Sequence, residues 1–431
     1  MYVSNLALDD FRSYRRLVLE FPPGVVAFIG RNGQGKTNIV ESLVYLSTFS
    51  SHRVAADAAL VRRALDGGPQ PGGAMVRAKV RRGERAEVLE LEIVAGRANR
   101  ARLNRGTCRP RELLGRLRTV LFAPEDLSLV KGDPAGRRDF LDALLIQHTP
   151  RLAGVKADLD KVLRQRGALL KQLAGTGRGP RGGYGTGPDA GYGAAEESLL
   201  AVWDEQLVEL GAQLLAARLE LVEKLVPLAE RYYREVADSQ DLLRLELVVS
   251  AREHAARGGY APPEAAGAGA AELDELRRVL RAAIAARRAD ELRRGVNLVG
   301  PQRDDLRISL NGLPAKGYAS HGESWSCALA LRLASFELLR GLDGDPVLIL
   351  DDVFAELDAK RRAALVGVVA GVEQVFITAA VGEDVPAELD AARFAVDGSQ
   401  LTSLDGRGSV GSAGGEGTGE QTEESPPGGP Q

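Results

Sequence analysis

The sequence predicts an α/β protein that carries an added antiparallel β-sheet and an inserted helical lobe. Short apolar runs typical of buried strands lie near both ends of the chain, at 25–29, 346–350 and 374–378. Residues 74–103 contain three short segments with the pattern of antiparallel strands. From about residue 111 the apolar residues recur with the period of a helix instead.

These patterns divide the chain into four parts. An α/β lobe is built from two separate stretches with a helical insertion between them, and a tail rich in glycine, serine, glutamate and proline follows. We expect this acidic tail to be disordered. The boundaries are 1–110 for the first stretch, with a glycine loop and the antiparallel sheet, 111–295 for the insertion, 296–400 for the second stretch and 401–431 for the tail.

The insertion contains two long helical segments at 151–173 and 196–237. They are joined by residues 175–193, in which nine of nineteen residues are glycine. Two helices joined by a flexible loop predict a short antiparallel helical arm.

Composition excludes several classes of protein. No run of about 18 apolar residues exists, so no membrane span is expected. The first residues lack the pattern of a signal peptide, and a cytoplasmic protein is expected. The chain has only two cysteines, Cys108 and Cys327, which are too few for a disulfide framework. Its four histidines are scattered along the sequence, so a zinc site is not expected.

Charge is distributed unevenly along the chain. The net charge is −3, of which the tail contributes −4, so the rest of the chain carries +1. Residues 97–118 hold eight arginines against one acid. Such a surface fits phosphate groups of nucleic acid, although a solvated arginine-rich surface is the alternative. The candidate DNA contacts are Arg77, Arg81, Arg100, Arg102, Arg105 and Arg109.

One motif points to phosphate binding. The pattern G-x-x-x-x-G-K-[ST] is matched by Gly30-Arg31-Asn32-Gly33-Gln34-Gly35-Lys36-Thr37, between the apolar strand 25–29 and an amphipathic helix. Glycines allow backbone N–H groups to face phosphate oxygens, and a helix N-terminus favours an anion. Lys36 is expected to contact the β- and γ-phosphates of a nucleotide, and the Thr37 hydroxyl is placed for Mg²⁺. A simple glycine turn is the alternative.

A second motif supplies carboxylates. The apolar strand 346–350 is followed directly by Asp351 and Asp352. The carboxyl end of a strand faces the ligand crevice of an α/β sheet, where Asp351 can hold Mg²⁺ and Asp352 can orient or deprotonate an attacking water. Acidic caps of a turn are the alternative.

The two motifs are far apart in the sequence, since 351 − 36 = 315 residues separate Lys36 from Asp351. The helical insertion must therefore fold so that the two halves meet. Before the second half lies Ser320-His321-Gly322-Glu323 at a predicted helix start. Its N–H groups suit a γ-phosphate in the site of a second protomer, which would make ATP the link of a dimer. The alternative is an ordinary capping box between Ser320 and Glu323.

Taken together, these motifs resemble the RecF family, bacterial proteins of recombinational repair related to the ATPase heads of SMC and ABC proteins. The match runs nearly end to end and includes Asn5-Leu6-x-Leu8-x-x-Phe11-Arg12-Ser13-Tyr14, Gly30 to Asn38, Phe122-Ala123-Pro124-Glu125-Asp126-Leu127, Gly132-x-Pro134-x-x-Arg137-Arg138-x-Phe140-Leu141-Asp142, Gly300-Pro301-x-Arg303-Asp304-Asp305 and Leu350 to Asp358.

The resemblance implies an ABC/SMC-head-like P-loop ATPase domain, with ATP and Mg²⁺ as cofactors. It implies slow, DNA-stimulated ATP hydrolysis, ATP-dependent homodimerisation on DNA, and loading of recombinase at single-strand gaps with RecO and RecR as partners. It also implies roles in the SOS response and replication restart. By the same resemblance Ser320 acts in trans, Asp358 lies in the loop that links opposed sites, and Thr378 senses the γ-phosphate.

Three positions depart from the family pattern. Glutamine is usual where this chain has His321 and Glu323, and histidine is common where it has Gln302. Glu323 is expected to bring negative charge near the phosphate and to weaken dimerisation. Two other classes remain as alternatives, an ABC transport ATPase subunit and an SMC-like structural chromosome ATPase, and the basic strands and the short, glycine-interrupted arm disfavour them.

Overall fold

The computed structural model describes residues 1–64, 68–175, 194–237, 239–261 and 270–411. The predicted glycine loop, apart from Gly175, and residues 412–431 of the predicted tail lie outside these ranges. The strands are β1 (Tyr2–Phe11), β2 (Tyr14–Glu20), β3 (Gly24–Ile29), β4 (Gly73–Arg82), β5 (Arg85–Val94), β6 (Arg100–Leu103), β7 (Gly106–Cys108), β8 (Thr119–Phe122), β9 (Leu243–Val248), β10 (Asp305–Leu310), β11 (Leu313–Pro314), β12 (Val347–Asp351), β13 (Gln374–Ala379), β14 (Ala392–Asp397), β15 (Gln400–Ser403) and β16 (Ser409–Val410).

Helices occupy the segments between these strands. They are α1 (Lys36–Thr48), α2 (Leu127–Lys131), α3 (Pro134–His148), α4 (Leu152–Gly175), α5 (Ala194–Ala237), α6 (Ser250–Arg257), α7 (Ala270–Arg294), α8 (Ala315–Tyr318), α9 (His321–Asp343) and α10 (Ala359–Val369).

A six-stranded sheet lies at the centre, in the order β15-β14-β3-β13-β12-β8, and only β15 runs antiparallel to its neighbour. Both faces of this sheet are covered. Along β12, Val347 and Ile349 join the core shared with the antiparallel sheet, while Leu348 and Leu350 join the core of the helical lobe. Because successive side chains point to opposite faces, a continuous apolar run here indicates a strand buried on both sides.

A seven-stranded antiparallel sheet, in the order β16-β2-β1-β4-β5-β6-β7, covers one face together with α1. The helical lobe covers the other face. In that lobe α4 and α5 run antiparallel, since Leu170 and Leu173 near the end of α4 form one apolar cluster with Leu200 near the start of α5. Arg166 of α4 also pairs with Asp204 of α5 at 2.8 Å. The predicted arm is therefore present, and α7 packs beside both of its helices.

The predicted insertion 111–295 is not entirely helical, because it contains two strands, β8 and β9. Since β8 pairs with β12 in the central sheet, the predicted start of the insertion at 111 is too early. All four residues of β8 are buried, and so short an apolar run cannot be assigned to strand or helix from periodicity. In β9 the buried residues Leu243, Leu245 and Leu247 do alternate with polar ones, a period of two that we overlooked.

The start of the predicted tail at 401 is also too early. Residues 400–403 form β15, and residues 409–410 form β16, which pairs with β2 in the antiparallel sheet. This segment of glycine and serine is ordered because two existing sheets offer free edges for it to pair with.

Candidate functional site

The phosphate-binding loop connects β3, in the middle of the central sheet, to α1. Gly33 and Gly35 have φ values of +82° and +110°, which residues with a side chain rarely adopt. Gly35 is the N-cap of α1, so the next residues, Lys36 and Thr37, form its first turn. The loop therefore directs a helix N-terminus towards the edge of the sheet where the parallel strands end.

Hairpins from both ends of the chain hold this loop. On one side, the hydroxyl of Tyr14, the first residue of β2, donates to the Gly35 carbonyl at 3.2 Å. On the other side, the backbone of Gly398 donates to the Gln34 side chain, and Ser399 N donates to the Gln34 carbonyl at 3.2 Å. The side chain of Gln34 thus contacts the hairpin between β14 and β15.

The same hairpin explains why the loop begins with glycine. A Cβ atom at Gly30 would lie 2.1 Å from the carbonyl oxygen of Val396, so any larger residue would displace the hairpin. Arg31 and Asn32 at the outer side of the loop are exposed.

The motif Phe11–Tyr14 was identified in the sequence only by its family match, and no structural role was predicted for it. The structure shows that this motif holds the first helix in place. Arg12 donates to both carboxylate oxygens of Glu41, at 2.8 and 2.6 Å, and Glu41 is fully buried in α1. This bidentate pair fixes the first helix on the β1–β2 hairpin, and with Tyr14 it sets the position of the phosphate-binding loop.

The Lys36 ammonium lies over the loop. Only 3% of the residue is exposed, and Nζ donates to the carbonyl oxygens of Gly30 at 2.7 Å and Arg31 at 3.3 Å. A buried ammonium that is held only by neutral carbonyls provides a positive charge for a phosphate group at this position.

The two distant halves of the site meet as predicted. The Thr37 hydroxyl donates to Asp351 Oδ1 at 3.0 Å, across 314 positions of sequence. Thr378, at the end of the neighbouring strand β13, donates to the same oxygen at 2.6 Å and accepts from Asp352 N at 2.9 Å. Thr378 therefore positions the carboxylate of Asp351 and the backbone of Asp352.

Burial raises the pKa of Asp351 to about 6, and the neighbouring charge of Asp352 adds to this, while hydrogen bonds from Thr378 and Thr37 oppose it. Asp352 has a φ of +52°, which is unusual for a residue with a side chain. Its Oδ1 atom is buried and has no hydrogen-bond partner among the described residues. An unpaired buried carboxylate oxygen beside the phosphate-binding loop suits a water or cation ligand.

The oxygen atoms present fit Mg²⁺. Cis ligands of an octahedral Mg²⁺ at about 2.1 Å lie about 3 Å from each other, and Thr37 Oγ1 and Asp351 Oδ1 are 3.0 Å apart. Mg²⁺ keeps several waters and phosphate oxygens as ligands, so two protein oxygens suffice. No cluster of three or more histidine, cysteine or acidic side chains suited to a metal ion occurs in the described ranges.

Ser320 forms the N-cap of α9 by the capping box that the sequence offered as an alternative. Its hydroxyl accepts from Glu323 N at 3.2 Å, and Glu323 Oε2 accepts from Ser320 N at 2.7 Å. The N–H group of Ser320, which was expected to meet a phosphate, is thus bound within the box. The Glu323 carboxylate, a departure from the family pattern, supplies one of these bonds.

Arg361 joins this turn to the loop after β12. Its Nε donates to Ser326 at 2.9 Å, and it pairs with Asp358, the N-cap of α10. A Cβ atom at Gly322 would lie 2.9 Å from the guanidinium, so glycine allows this contact. Sequence reasoning missed Arg361.

A second connection links the loop after β8 to α9. Asp126 accepts two bonds from Arg332, at 3.0 and 2.5 Å, and one from Ala123 N at 3.1 Å. The motif Phe122–Leu127 had identified Asp126, but only the fold shows that its partner lies in the helix capped by Ser320.

Two other family motifs bind each other. Arg137 donates to both oxygens of Asp305, at 2.7 and 2.9 Å, and Arg138 donates to the Asp304 carbonyl at 2.7 Å. Asp142 pairs with the buried Arg218, which lies 3.6 Å from Asp304. These motifs therefore attach the helical lobe to the second stretch of the ATPase lobe.

The arginines proposed for DNA divide into two groups. Arg77 pairs with Asp9 and Glu90, Arg102 lies 4.0 Å from Glu90, and Arg100 lies 3.6 Å from Glu92. The other three, Arg81, Arg105 and Arg109, form no ion pair within the described part of the chain. DNA contact by these residues stays a prediction.

The meeting of loop, lysine and paired carboxylates at one edge of a parallel sheet defines the class of P-loop ATPase heads. The family model described as RecF/RecN/SMC N terminal domain matches residues 2–392. The chain is 54% identical to the DNA replication and repair protein RecF of Beutenbergia cavernae, over 93% of this chain and 99% of that one. It is 52% identical to RecF of Frankia alni, with the same coverage. Within the class of ATPase heads, the chain belongs to the RecF family of DNA replication and repair proteins.

Solved structures agree with this assignment. The recombination mediator protein RecF-ATPrS in the RecFOR pathway superposes with a TM-score of 0.77 at 27% identity, and covers 94% of this chain and 98% of that one. A RecF-ATP structure of the same pathway superposes with a TM-score of 0.75 at 27% identity, and the match covers 94% of this chain and 99% of that one. None of the helices in the described ranges is long and apolar enough to cross a membrane.

Proposed function

We propose that this RecF family member binds ATP with Mg²⁺, dimerises on DNA through the bound nucleotide, and hydrolyses ATP slowly in response to DNA. The observation that carries the proposal is the contact between Thr37 and Asp351 at 3.0 Å, which joins the phosphate-binding loop to the acidic strand. The RecF-ATP structure, whose fold this chain shares, supports ATP as the nucleotide.

Each residue has a part in this reaction. The loop N–H groups and Lys36 bind the β- and γ-phosphates, while Thr37 and Asp351 hold Mg²⁺, which neutralises phosphate charge when bound. Asp352, with its unpaired buried oxygen, orients or deprotonates the attacking water. Thr378 senses the γ-phosphate through the Asp351 carboxylate and the Asp352 backbone, to which it is hydrogen-bonded.

The second half of each site comes from the other protomer in this proposal. The N-terminus of α9, with Ser320, approaches the γ-phosphate in trans, and Asp358 lies in the loop that joins the two opposed sites. Binding there must replace the hydrogen bonds of the capping box, so Glu323 competes with the phosphate. ATP therefore closes the dimer, and hydrolysis opens it as a timer.

The cellular role follows from the family. We infer a cytoplasmic, nucleoid-associated protein that acts in recombinational repair and replication restart and supports the SOS response. It helps to load recombinase at single-strand gaps, with RecO and RecR as partners. The RecFOR pathway named for the related structure supports these partners. RecF membership favours this role over a transport ATPase subunit or a structural chromosome ATPase.

The test measures DNA retention by the wild type, Lys36→Arg and Ser320→Arg, with and without ATP and Mg²⁺, over a series of salt concentrations. We expect DNA binding by the wild type to be enhanced by ATP and sensitive to salt. Ser320→Arg should lose the enhancement while it still binds ATP. Equal retention by all three proteins, with or without ATP, would mean that nucleotide does not control DNA binding.

A further inference from the structure

We propose that DNA phosphates bind a basic surface at the outer side of the helical arm, formed by Lys161, Arg164 and Lys171 of α4 together with Arg294 and Arg303. This surface, called the arm basic surface below, rests on the proposed DNA-binding function and names where that function resides. All five side chains are exposed, and none forms an ion pair within the described part of the chain.

The three residues of α4 share one face of the helix. They are separated by three and seven residues, so at 100° per residue they lie within a sector of about 80°. Lys161 and Lys171 are about 15 Å apart along the axis, a length that corresponds to about four phosphates of one DNA strand. A row of cations at this spacing can follow a phosphate backbone.

The neighbours on this face are suited to a polar, charged ligand. Gln165, Ala168 and Gln172 are exposed between the cations, and they contribute amide donors or small side chains. Asp158, one turn before Lys161, is exposed but forms no ion pair with it in the described structure. Since this face of α4 has no aromatic or large apolar anchor of the kind found at protein interfaces, nucleic acid fits it better than a protein partner.

The segment 294–303 lies directly against α4 and extends the surface. A Cβ atom at Gly295 would be 3.1 Å from Lys171 Cα. The Asn297 side chain donates to the Leu163 carbonyl at 2.8 Å, and it accepts from the buried Arg166 at 2.7 Å. Arg294 and Arg303 are thereby held beside the α4 cations.

Arg303 is the best organised of the five. Its Nε and Nη2 both donate to the carbonyl oxygen of Asn297, at 3.1 and 2.6 Å, which fixes the guanidinium in place without neutralising its charge. Arg303 belongs to the same family motif as Asp304 and Asp305. Those two residues contact the helical lobe, whereas Arg303 has no acidic partner in the described part of the chain. A fixed, exposed and unpaired guanidinium is well prepared for a phosphate.

Three arginines of the antiparallel sheet carry the same charge as the three α4 cations but have different surroundings. Arg77, Arg100 and Arg102 face acidic residues on neighbouring strands, so a phosphate would have to compete with carboxylates of the protein. The matched variants are therefore Lys161→Ala/Arg164→Ala/Lys171→Ala for the arm and Arg77→Ala/Arg100→Ala/Arg102→Ala for the sheet. Each removes three positive charges.

The experiment measures binding of a fluorescein-labelled 30-base-pair duplex of random sequence by anisotropy, with ATP and Mg²⁺, from 50 to 300 mM KCl. Removal of one cation that binds a phosphate should reduce the slope of log K against log salt by about 0.9. We expect the arm variant to have a slope smaller by about 2 to 3 and an affinity at least tenfold lower at low salt. The sheet variant should change the slope by less than about 1. Arg303→Ala alone should remove about 1, and Arg303→Lys should restore part of it.

Controls separate this proposal from the proposed function. Thermal unfolding and binding of a fluorescent ATP analogue by each variant should match the wild type, because neither triple substitution touches the nucleotide site. A wild type that binds no DNA would overturn both the proposed function and the arm basic surface. If the wild type binds DNA but the arm variant has an unchanged slope, the proposal that DNA binds the arm basic surface is overturned, while the proposed function stands. An acidic protein would then be the candidate ligand of this surface.

Discussion

The two halves of the proposed ATP site are built in opposite ways. In the half with the phosphate-binding loop, residues from three distant segments bind one another, since Asp351 accepts hydrogen bonds from both Thr37 and Thr378. In the half with Ser320, Ser320 and Glu323 satisfy each other within a single helical turn. The first half is assembled for a ligand within one protomer, while the second is closed on itself and must be opened by a competing anion. Nucleotide binding and dimerisation should therefore respond to different substitutions.

The largest effect is expected from Asp351→Asn. This change removes a charge that holds Mg²⁺ and should lower the rate of ATP hydrolysis by about 1,000-fold, since such metal contacts contribute several kcal/mol. Steady-state phosphate release with DNA present measures it. Asp139→Asn, which changes an exposed carboxylate on α3, serves as the control and should reduce the rate far less. Comparable losses would mean that the carboxylate at the end of β12 has no special part in hydrolysis.

Thr378→Val should lower hydrolysis by about 10- to 100-fold, because it removes the hydroxyl that donates to Asp351 and accepts from Asp352 N. The affinity for ATP should change by less than about threefold, since positioning of the carboxylates matters most in the transition state. Thr378→Ser keeps the hydroxyl and should recover most of the rate. A serine variant as slow as the valine variant would contradict the role of this hydroxyl.

Asp351 should also make stability depend on pH. Its folded pKa of about 6 lies above the usual value of 3.8, so the folded state binds the proton more tightly than the unfolded state. The contribution of this group to stability is present below pH 4 and is lost as pH rises through 6. Asp351→Asn, measured by denaturant unfolding in EDTA, should therefore be more stable than the wild type by about 3 kcal/mol at pH 8. The difference should shrink towards zero at pH 4, and a difference independent of pH would argue against this origin.

The smallest effect concerns the half with Ser320. Glu323→Gln keeps the capping box, because glutamine can make the same hydrogen bond, but removes the charge that opposes a phosphate. Dimerisation with ATP, measured by sedimentation velocity, should strengthen about threefold to tenfold, with ATP affinity of the monomer unchanged. Glu246→Gln, an exposed carboxylate on β9 in the helical lobe, is the charge control. Weaker dimerisation of Glu323→Gln would show that the carboxylate helps the trans contact.

Local sequence was sufficient where a function depends on consecutive residues. The glycine loop with Lys36 and Thr37, the acidic end of β12 and the capping box of α9 are each set by residues within one turn or strand end, and their patterns identify them. The long helices α4 and α5 were also predicted, because their apolar periodicity extends over many turns. The strand β8 was not predicted, because its four buried residues fit a strand or a helix equally well. The strand β9 was not predicted although its alternation of buried and polar residues is present in the sequence.

Sequence alone thus determined the class of the ATPase head, the two motifs that meet at Asp351 and the presence of an arm. Only the tertiary structure decided which charges are free. Cross-strand pairing neutralises Arg77 and its neighbours, whereas helix packing leaves Lys161, Arg164, Lys171 and Arg303 unpaired. It also decided that Arg332 holds Asp126 and that Arg137 holds Asp305. The physical reason is that an ion pair depends on distances of a few ångströms between residues far apart in sequence, and only the packed fold sets those distances.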